Sequence, residues 1–448
     1  MKSSMRCFTA PACTAALLGL AASAGAAGPA QSAPKIRPFN ITIQHAFTAP
    51  PTNSQCLAAI GLHCYGPPQF STAYNLAPLH SAHIDGRGTT IVIVDAFGSP
   101  TIRSDLHKFD QDYGLPDPPS LQILQPAGTP PPFDPTNSDM VGWAFETSLD
   151  VEYAHAFAPG ANIVLVETPV TETEGVQGFP EIVSAENYVI NHNIGDVISQ
   201  SFGATEETFP NTLSILLLRG SFINAALHRV PVLGGSGDFG ATNYELNLMD
   251  LYPMPVNSWP SSDPLVTSVG GTQLLLDDAG NRLAPDVVWN DGFGASGGGV
   301  SSVFPRPVFQ TSVRSLVGRW RGTPDISMSA AVDGSALVYT SFIPGGAGYY
   351  LVGGTSEATP EFAGIVAMAT QLAGHRLGLL GNKLYALSRR NLVDVTTGDN
   401  SFGPFQNTDG NTYTVVGYPA LPGYDLASGL GTLDASKFVP ALAHAADF

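Results

Sequence analysis

Five short runs rich in β-branched residues alternate with segments of helical periodicity, and this alternation limits what the chain can fold into. The runs are TTIVIVDAF (89–97), ANIVLVET (161–168), DVISQSFG (196–203), RVPVLGGSGD (229–238) and PLVTSVGGT (264–272). Helical segments such as 179–193 and 212–229 lie between several of them. Nearly continuous apolar strands separated by helices predict a mostly parallel central sheet with helices on both faces. We therefore expect an α/β fold, with residues 65–448 in one domain.

The charge balance excludes one broad class of function. The chain has 448 residues, with 19 Lys and Arg against 37 Asp and Glu, so its formal net charge is −18. A nucleic-acid-binding protein needs a basic surface, which this composition does not supply. Charged residues make up 12% of the chain, against a usual share of roughly 25%. A surface with few ion pairs loses little when its carboxylates are protonated, so the composition gives weak support to acid tolerance.

The first 27 residues have the three regions of a secretory signal peptide. Lys2 and Arg6 supply the positive start, an apolar run follows to about Ala22, and small residues close the segment at 24–27. A buried N-terminal helix is the alternative. No stretch reaches the roughly 18 apolar residues that a membrane span needs. We expect a secreted protein, extracellular or periplasmic, that does not associate with membranes.

Residues 28–64 form a Pro-containing lead-in that holds Cys56 and Cys64, the two cysteines that remain after the signal peptide. Two cysteines in a secreted chain favour a short-loop disulfide. Zinc binding with the adjacent His63 is the alternative, but neighbouring residues seldom both reach one tetrahedral metal, and no second Cys/His pair is close in sequence. We expect a Cys56–Cys64 disulfide with a structural role.

The sharpest local motif is GGTSEATP (353–360). Its glycines permit a tight turn, and Ser356 then lies where a helix begins, with Pro360 tolerated in the first turn. A serine in this position points its Oγ away from the turn, while the helix N-terminus offers free N–H groups to an oxyanion. The residues alone leave two interpretations open: Ser356 is a nucleophile, or it is a helix cap.

A hydroxyl nucleophile needs a base, and the histidines do not supply one. None of the ten histidines has a recognisable catalytic context, so a Ser-His-Asp arrangement is unsupported. Segment 142–161 is helical in pattern and places Glu146 and Asp150 four residues apart on one face. Two carboxyls in a partly buried cleft can share a proton, and the one with the raised pKa can accept the serine proton in acid. The alternative is a polar helix face exposed to water, and Glu152 is expected to face solvent or to pair within the helix.

A third carboxylate lies in GGSGDFG (234–240), directly after a β-branched run. Asp238 should therefore lie at the carboxyl end of a strand, where α/β sheets place ligand-binding residues. A neutral Asp238 could donate a hydrogen bond to a tetrahedral oxyanion beside the Ser356 N–H. The alternative is an Asp that stabilises a Gly-rich turn.

Several sequence blocks, taken in order, resemble the sedolisin family of serine-carboxyl peptidases, which has a subtilisin-like fold. The resemblance covers roughly residues 65–434. Its blocks are ETSLDVEYAHAFAPGA (146–161), SQSFG (199–203), GGSGDFG (234–240), NSWPSSDPLVTSVGGT (257–272), SGGGVSSVFPRP (296–307), RGTPDISM (321–328), GGTSEATPEFAG (353–364), DVTTGDN (394–400) and GYDLASGLG (423–431).

The resemblance implies a role for each candidate residue. Ser356 would be the nucleophile, and Glu146 would be the general base and acid. Asp150 would orient Glu146 and share its proton. Asp238 would be the protonated donor of the oxyanion hole.

The same resemblance matches Ser201, Phe202 and Gly203 to a strand that pairs with the substrate backbone. Subtilisin is the close rival, because GTSEATPEFAG also resembles its serine block and Asp95 in TIVIVDAFG resembles its aspartate. The missing histidine block argues against subtilisin. Asp95 is therefore expected at a strand end beside the site, without an assigned catalytic role.

The resemblance also implies one structural calcium ion near the C-terminal end of the chain. The side chains of Asp394 and Asp425 would bind it, together with the carbonyls of Val395, Leu421 and Gly423. Carboxylates with backbone carbonyls suit the oxygen-only shell of Ca²⁺, although Leu421 stands where glycine is more usual. The spacing alone is equally consistent with two surface aspartates in loops.

These features together indicate a secreted, acid-active serine-type endopeptidase that is a monomer and acts on proteins or peptides. One alternative is a tripeptidyl-peptidase of the same family. The other is a non-catalytic secreted binding or structural protein that retains the fold. Residues 28–60 are far fewer than the long propeptide that family members usually carry, so the chain is expected to fold without one of that length.

Overall fold

A mostly parallel sheet forms the centre of the protein, in a computed structural model that describes residues 41–172 and 174–446. These residues lie in one compact unit, Pro34–Phe448. The predicted signal peptide, residues 1–27, lies outside the described residues. A search of the described part of the chain finds no helix long and apolar enough to cross a membrane.

Strands occur along the whole described chain, from Ile41 to Val415. In chain order they are β1 Ile41–Phe47, β2 Cys64–Tyr65, β3 Thr90–Ala96, β4 Leu121–Leu124, β5 Asn162–Thr168, β6 Val197–Gln200, β7 Ala204–Thr205, β8 Val232–Gly235, β9 Ser258–Trp259, β10 Thr267–Gln273, β11 Val287–Val288, β12 Gly299–Pro305, β13 Trp320–Thr323, β14 Ile326–Ser329, β15 Ser335–Thr340, β16 Gly348–Gly353, β17 Phe402–Gln406 and β18 Thr412–Val415.

The α-helices alternate with these strands, and short 3-10 turns lie between some of them. In chain order the helices are α1 Asn53–Ile60, α2 Pro67–Ala73, α3 Ala77–Ser81, α4 Ile102–Tyr113, α5 Ser138–Phe157, α6 Phe179–Asn191, α7 Thr212–Leu218, α8 Gly220–Leu227, α9 Arg314–Val317, α10 Thr355–Ala373, α11 Leu380–Ala386 and α12 Ala435–Ala443.

The central sheet has eight strands, with β11-β10-β8-β6-β3-β5-β4 adjacent in that order and β14 paired with β10. Its strand pairs are parallel except for β10 with β11. The five apolar runs of the sequence supply β3, β5, β6, β8 and β10. The predicted α/β fold with a mostly parallel central sheet is therefore confirmed.

Strand β3 shows why both faces of this sheet are covered. Ile91 and Ile93 lie in the core beside α5 and α10, whereas Val92 and Val94 lie in the core beside α6 and α8. Successive side chains of a strand point to opposite faces, so a strand that is buried on both faces is apolar without interruption. The same alternation places Asp95 on the α5 and α10 side of the sheet.

Helices α5 and α10 pack directly against each other on that side. Gly364 of α10 permits the close approach, because a Cβ at this position would come within 2.5 Å of the Phe157 Cβ on α5. The residues of α10 from Thr355 to Thr370 are all buried. The helix begins at Thr355, so Ser356 lies in its first turn, where the sequence predicted a helix to begin.

The described part of the lead-in is built into the main unit. Strand β1 pairs antiparallel with β16, the strand that leads into Ser356. Strand β2 pairs with β15 of the same sheet. A disulfide joins Cys56 to Cys64, with their Cα atoms 6.1 Å apart. The expected boundary at residue 64 therefore does not separate two structural units, because residues on both sides of it share one sheet.

Candidate active site

Three parallel strands end beside the candidate site. Strands β3, β6 and β8 run in the same direction, so their carboxyl ends meet at one edge of the sheet. Asp95 lies in β3, Ser201 follows β6, and Asp238 comes three residues after β8. Helices α5 and α10 cover this side of the sheet and carry the other candidates, Glu146, Asp150 and Ser356.

Ser356 lies in the first turn of α10. The chain enters this helix through Gly354, whose φ of 118° is a conformation that residues with a side chain rarely adopt. Ser356 is fully buried, and its Oγ donates a hydrogen bond of 3.3 Å to the carbonyl oxygen of Ser201. The first N–H groups of a helix have no acceptor within the helix, so this turn can also stabilise negative charge.

Asp238 is held against the residue that precedes Ser356. Its Oδ1 accepts hydrogen bonds from the Thr355 N–H at 2.8 Å and from the Thr355 hydroxyl at 2.9 Å. Its Oδ2 is buried and has no hydrogen-bond partner among the described residues. Burial raises the pKa of Asp238 to about 8, although the bonds from Thr355 act in the opposite direction. Burial therefore favours the neutral form of the Asp238 carboxyl in acid.

Glu146 and Asp150 lie one helical turn apart on α5, and both are fully buried. The Oδ1 of Asp150 accepts a hydrogen bond of 2.8 Å from the Ser201 hydroxyl. Burial, followed by the charges of Asp95 and Glu146, raises the pKa of Asp150 well above its ordinary value. The two carboxyls that the sequence paired thus lie in a buried setting, where a shared proton is favoured, and not on an exposed helix face.

Asp95 is a site residue to which the sequence assigned no role. It is fully buried in β3, and its carboxyl contacts that of Asp150. Burial raises the pKa of Asp95 to about 7. The charge of Asp95, after burial, raises the pKa of Asp150. The sequence signal for this contact was an acidic residue at the end of an apolar strand.

The segment expected to contact substrate lies between β6 and β7. Residues 201–203 pair with no other strand of the described chain, and all three are buried. The ring of Phe202 is fully buried, with its centroid 6.2 Å from that of Trp143 and 6.4 Å from that of Phe179. The side chain of Phe202 therefore belongs to the core.

Backbone N–H groups of the segment 421–423 contact both carboxylates of the predicted calcium site. The Gly423 N–H donates to the Asp394 carboxylate at 2.9 Å, and the Leu421 N–H donates to Oδ2 of Asp425 at 2.9 Å. A search of the described residues finds no group of three or more His, Cys, Asp or Glu that could hold a metal. The oxygen-only donor set fits Ca²⁺.

Several known proteins are similar to this chain in sequence. The model of the family described as "Subtilase family" matches residues 140–403. Kumamolisin from Bacillus sp. (strain MN-32) is 31% identical over 368 residues, which are 80% of this chain and 61% of kumamolisin. Tripeptidyl-peptidase 1 from Canis lupus familiaris is 28% identical over 316 residues, which are 66% of this chain and 51% of that protein.

A solved structure extends the similarity to the fold. Pseudomonas sedolisin, a serine-carboxyl proteinase complexed with two molecules of pseudo-iodotyrostatin, superposes with a TM-score of 0.69 at 29% identity. The match covers 85% of this chain and 98% of that chain. The fold is therefore subtilisin-like. The chain spans 61% of the length of kumamolisin and about half the length of the tripeptidyl-peptidase.

Proposed function

The chain belongs to the subtilase family and, within it, to the sedolisin family, and on that premise we propose that it is an acid-active serine-carboxyl endopeptidase. One observation carries the proposal. The Ser356 hydroxyl, in the first turn of a buried helix, is joined through Ser201 to a pair of contacting buried carboxyls, Asp150 and Asp95. No histidine takes part in these contacts.

In the proposed first step, Ser356 Oγ attacks the carbonyl carbon of the scissile peptide bond. The Oγ–C bond forms, the carbonyl electron pair moves onto oxygen, and the hydroxyl proton passes to the ionised Glu146. Asp150, which holds its proton because of burial and like charge, stabilises the ionised Glu146 beforehand. Glu146 then gives the proton to the leaving amine as the C–N bond breaks, and water hydrolyses the acyl-enzyme by the same steps.

The negative oxygen of the tetrahedral intermediate has a donor in Asp238. Its protonated Oδ2 has no hydrogen-bond partner among the described residues, and Thr355 fixes the carboxyl in place through Oδ1. A neutral carboxylic acid in a buried site can act as an oxyanion-hole donor. This role requires that Asp238 stay protonated, which its raised pKa ensures in acid.

The substrates we propose are proteins or peptides in an extended conformation, which pair with the backbone of 201–203. A tripeptidyl-peptidase is the second candidate, because one relative carries that name. The two candidates differ in their products. An endopeptidase cuts a long peptide at internal bonds, whereas a tripeptidyl-peptidase releases three residues at a time from a free N-terminus.

Three further features belong to the proposal. The signal-like residues 1–27 support secretion. The oxygen donors around Asp394 and Asp425 would hold one structural calcium ion, which would tie two segments of the C-terminal region together. We also propose that the protein acts as a monomer, since the residues assigned to catalysis all come from one chain.

The function is tested by digestion of an acid-unfolded protein by the full chain between pH 3 and pH 8. We expect cleavage in acid, and Ser356→Ala and Glu146→Gln should each nearly abolish it while leaving the circular dichroism spectrum unchanged. Ser104→Ala, which removes an exposed hydroxyl on α4, is the matched control and should leave cleavage unchanged. An optimum above pH 7, or no cleavage by the folded chain at any pH, would overturn the proposal.

A further inference from the structure

A cavity of about 180 Å³ is lined by the residues that follow β3, by Glu167 of β5 and by the segment before α5. Its lining is mixed, and the apolar side chains of Phe97, Pro130, Phe133 and Met140 form part of it. For comparison, an apolar cavity of about 150 Å³ can hold a benzene-sized molecule. The cavity is therefore large enough for one substrate side chain.

One end of the cavity is polar. Glu167 lines it with a carboxyl that accepts a hydrogen bond of 2.7 Å from the Gln125 amide through Oε2. Ser99 lines it as well, and its Oγ is buried with no hydrogen-bond partner among the described residues. A buried hydroxyl without a partner is unfavourable unless a ligand or water satisfies it. The Glu167 carboxyl and the Ser99 hydroxyl can each accept a hydrogen bond from a bound side chain.

At this polar end, the backbone of Gly98 lies close to the Glu167 carboxyl. A Cβ on Gly98 would collide with the Glu167 carboxyl, so the close approach requires glycine there. The preceding residue, Phe97, has a φ of 61°, which is strained for an aromatic residue. Such strain persists where the surroundings fix it, and it concentrates at functional sites.

The cavity lies within reach of a substrate bound at Ser356. Glu167 on β5 is the register partner of Asp95 on β3, and β3 in turn pairs with β6, which leads into Ser201. Adjacent strands are about 4.8 Å apart, so Glu167 lies about 10 Å from the Ser201 end of the sheet edge. An extended peptide covers that distance in about three residues.

We propose that this cavity is a specificity pocket for a lysine or arginine side chain of the substrate, within three residues of the scissile bond. The inference rests on the proposed function. The long aliphatic stem of either residue suits the apolar walls, and its cationic end suits Glu167 and Ser99. Burial raises the pKa of Glu167, against the hydrogen bond from Gln125 and the charge of Arg103, and a cationic side chain bound beside it would favour its ionised form.

The test uses a peptide series with one cleavable bond, in which each of the three positions on either side carries Lys, Arg, Gln or norleucine in turn. A hydrogen bond to a charged group contributes about 1.5–3 kcal/mol, so one position should favour Lys or Arg over norleucine at least tenfold in kcat/KM. Glu167→Gln should remove this preference, so that the Lys, Arg and norleucine peptides are cleaved by the variant at similar rates.

Two further variants keep the result interpretable. Glu181→Gln makes the same change on α6, outside the cavity, and should keep the preference. Ser99→Ala removes only a hydroxyl without a partner, so it should fold, and it should reduce the preference about threefold.

Equal rates for Lys and norleucine at every position, or a preference that survives Glu167→Gln, would overturn the specificity pocket and leave the proposed peptidase activity standing. Failure of the folded chain to cleave any peptide of the series would instead overturn the proposed function.

Discussion

The Ser201 hydroxyl donates a hydrogen bond of 2.8 Å to Oδ1 of Asp150. The carbonyl of the same serine accepts the hydrogen bond of Ser356 Oγ at 3.3 Å. Ser201 thus contacts the nucleophile through its backbone and the buried carboxyl pair through its side chain. A change at this side chain acts on Asp150 without removing the acceptor of the Ser356 hydroxyl.

We expect Ser201→Ala to lower kcat/KM about tenfold. The hydrogen bond from Ser201 lowers the pKa of Asp150, and its loss leaves a buried carboxyl without a donor. Steady-state kinetics in acid measure the effect. Ser199→Ala on β6 is the control, because the Ser199 Oγ is buried without a partner among the described residues and its removal should not change the rate. Equal rates for the two variants would contradict the positioning role of Ser201.

Asp95→Asn should shift the alkaline limb of the kcat/KM profile to lower pH. The charge of Asp95 raises the pKa of Asp150, so its removal lets Asp150 lose its proton earlier. Ionised Asp150 then repels Glu146 and no longer stabilises it as the base. A pH profile from 3 to 9 measures the shift, which we expect to be about one pH unit. An unchanged alkaline limb would show that Asp95 does not control the pH at which Asp150 loses its proton.

Asp238→Asn tests the contribution of Asp238 to the pH profile separately from that of the other carboxyls. Asparagine can keep the contact with Thr355 and donate a hydrogen bond at every pH, whereas Asp238 donates only while protonated. Above pH 8 the wild-type rate should fall with the loss of two protons, one from the Asp95–Asp150 pair and one from Asp238, whose pKa is about 8. The asparagine variant should lose one proton in the same range. Asp238→Ala should reduce kcat about 100-fold. A two-proton fall in the asparagine variant would contradict the assignment.

The sequence predicted the elements of the site better than their contacts. Helix periodicity placed Glu146 and Asp150 on one face, and strand-end position placed Asp238 at the sheet edge, because both rules are local. The contact between Asp95 and Asp150 depends on how β3 packs against α5, which no local pattern encodes. The hydroxyl direction of Ser201 depends on the same packing.

For Glu152, a local pattern led to a wrong prediction. The expectation that it faces solvent or pairs within the helix was wrong, since it is fully buried and its Oε2 accepts a hydrogen bond of 3.0 Å from the Tyr339 N–H of β15. Helix α5 is covered by α10 and also contacts β15, so it has no solvent face at this position. A polar residue on a helix is evidence of exposure only when the opposite face alone is packed.

Removal of calcium should lower the thermal stability of the protein. If one ion binds at Asp394 and Asp425, calcium at about 100 times its Kd stabilises the fold by about 2.7 kcal/mol. We expect a chelator to lower Tm by about 3 °C, and Asp394→Asn to remove the dependence of Tm on calcium. Asp409→Asn, in the exposed β17–β18 turn, is the control. A Tm that calcium does not change would contradict the site.

Buried carboxyls on α10 should make the fold less stable as pH rises. Glu357 follows the nucleophile and is fully buried, and burial raises its pKa to about 8 from an ordinary 4.5. Between these values the folded state keeps a proton that the unfolded state has lost, so the free energy of unfolding falls by about 1.4 kcal/mol per pH unit. Glu357, together with the neighbouring Glu361, whose pKa is also raised, therefore lowers the stability of the fold as pH rises from 4.5 to 7.

Glu357→Gln should reduce that loss of stability, because glutamine is neutral at every pH and can still accept the hydrogen bond of 3.3 Å that the Ala336 N–H donates to Glu357. Its Tm should match the wild-type value at pH 4 and exceed it at pH 7. Glu181→Gln should leave Tm unchanged at both. Thermal denaturation of catalytically inactive Ser356→Ala backgrounds avoids self-digestion during the scan. If the two glutamine variants give the same Tm difference between pH 4 and pH 7, Glu357 is not the group that loses its proton as stability falls.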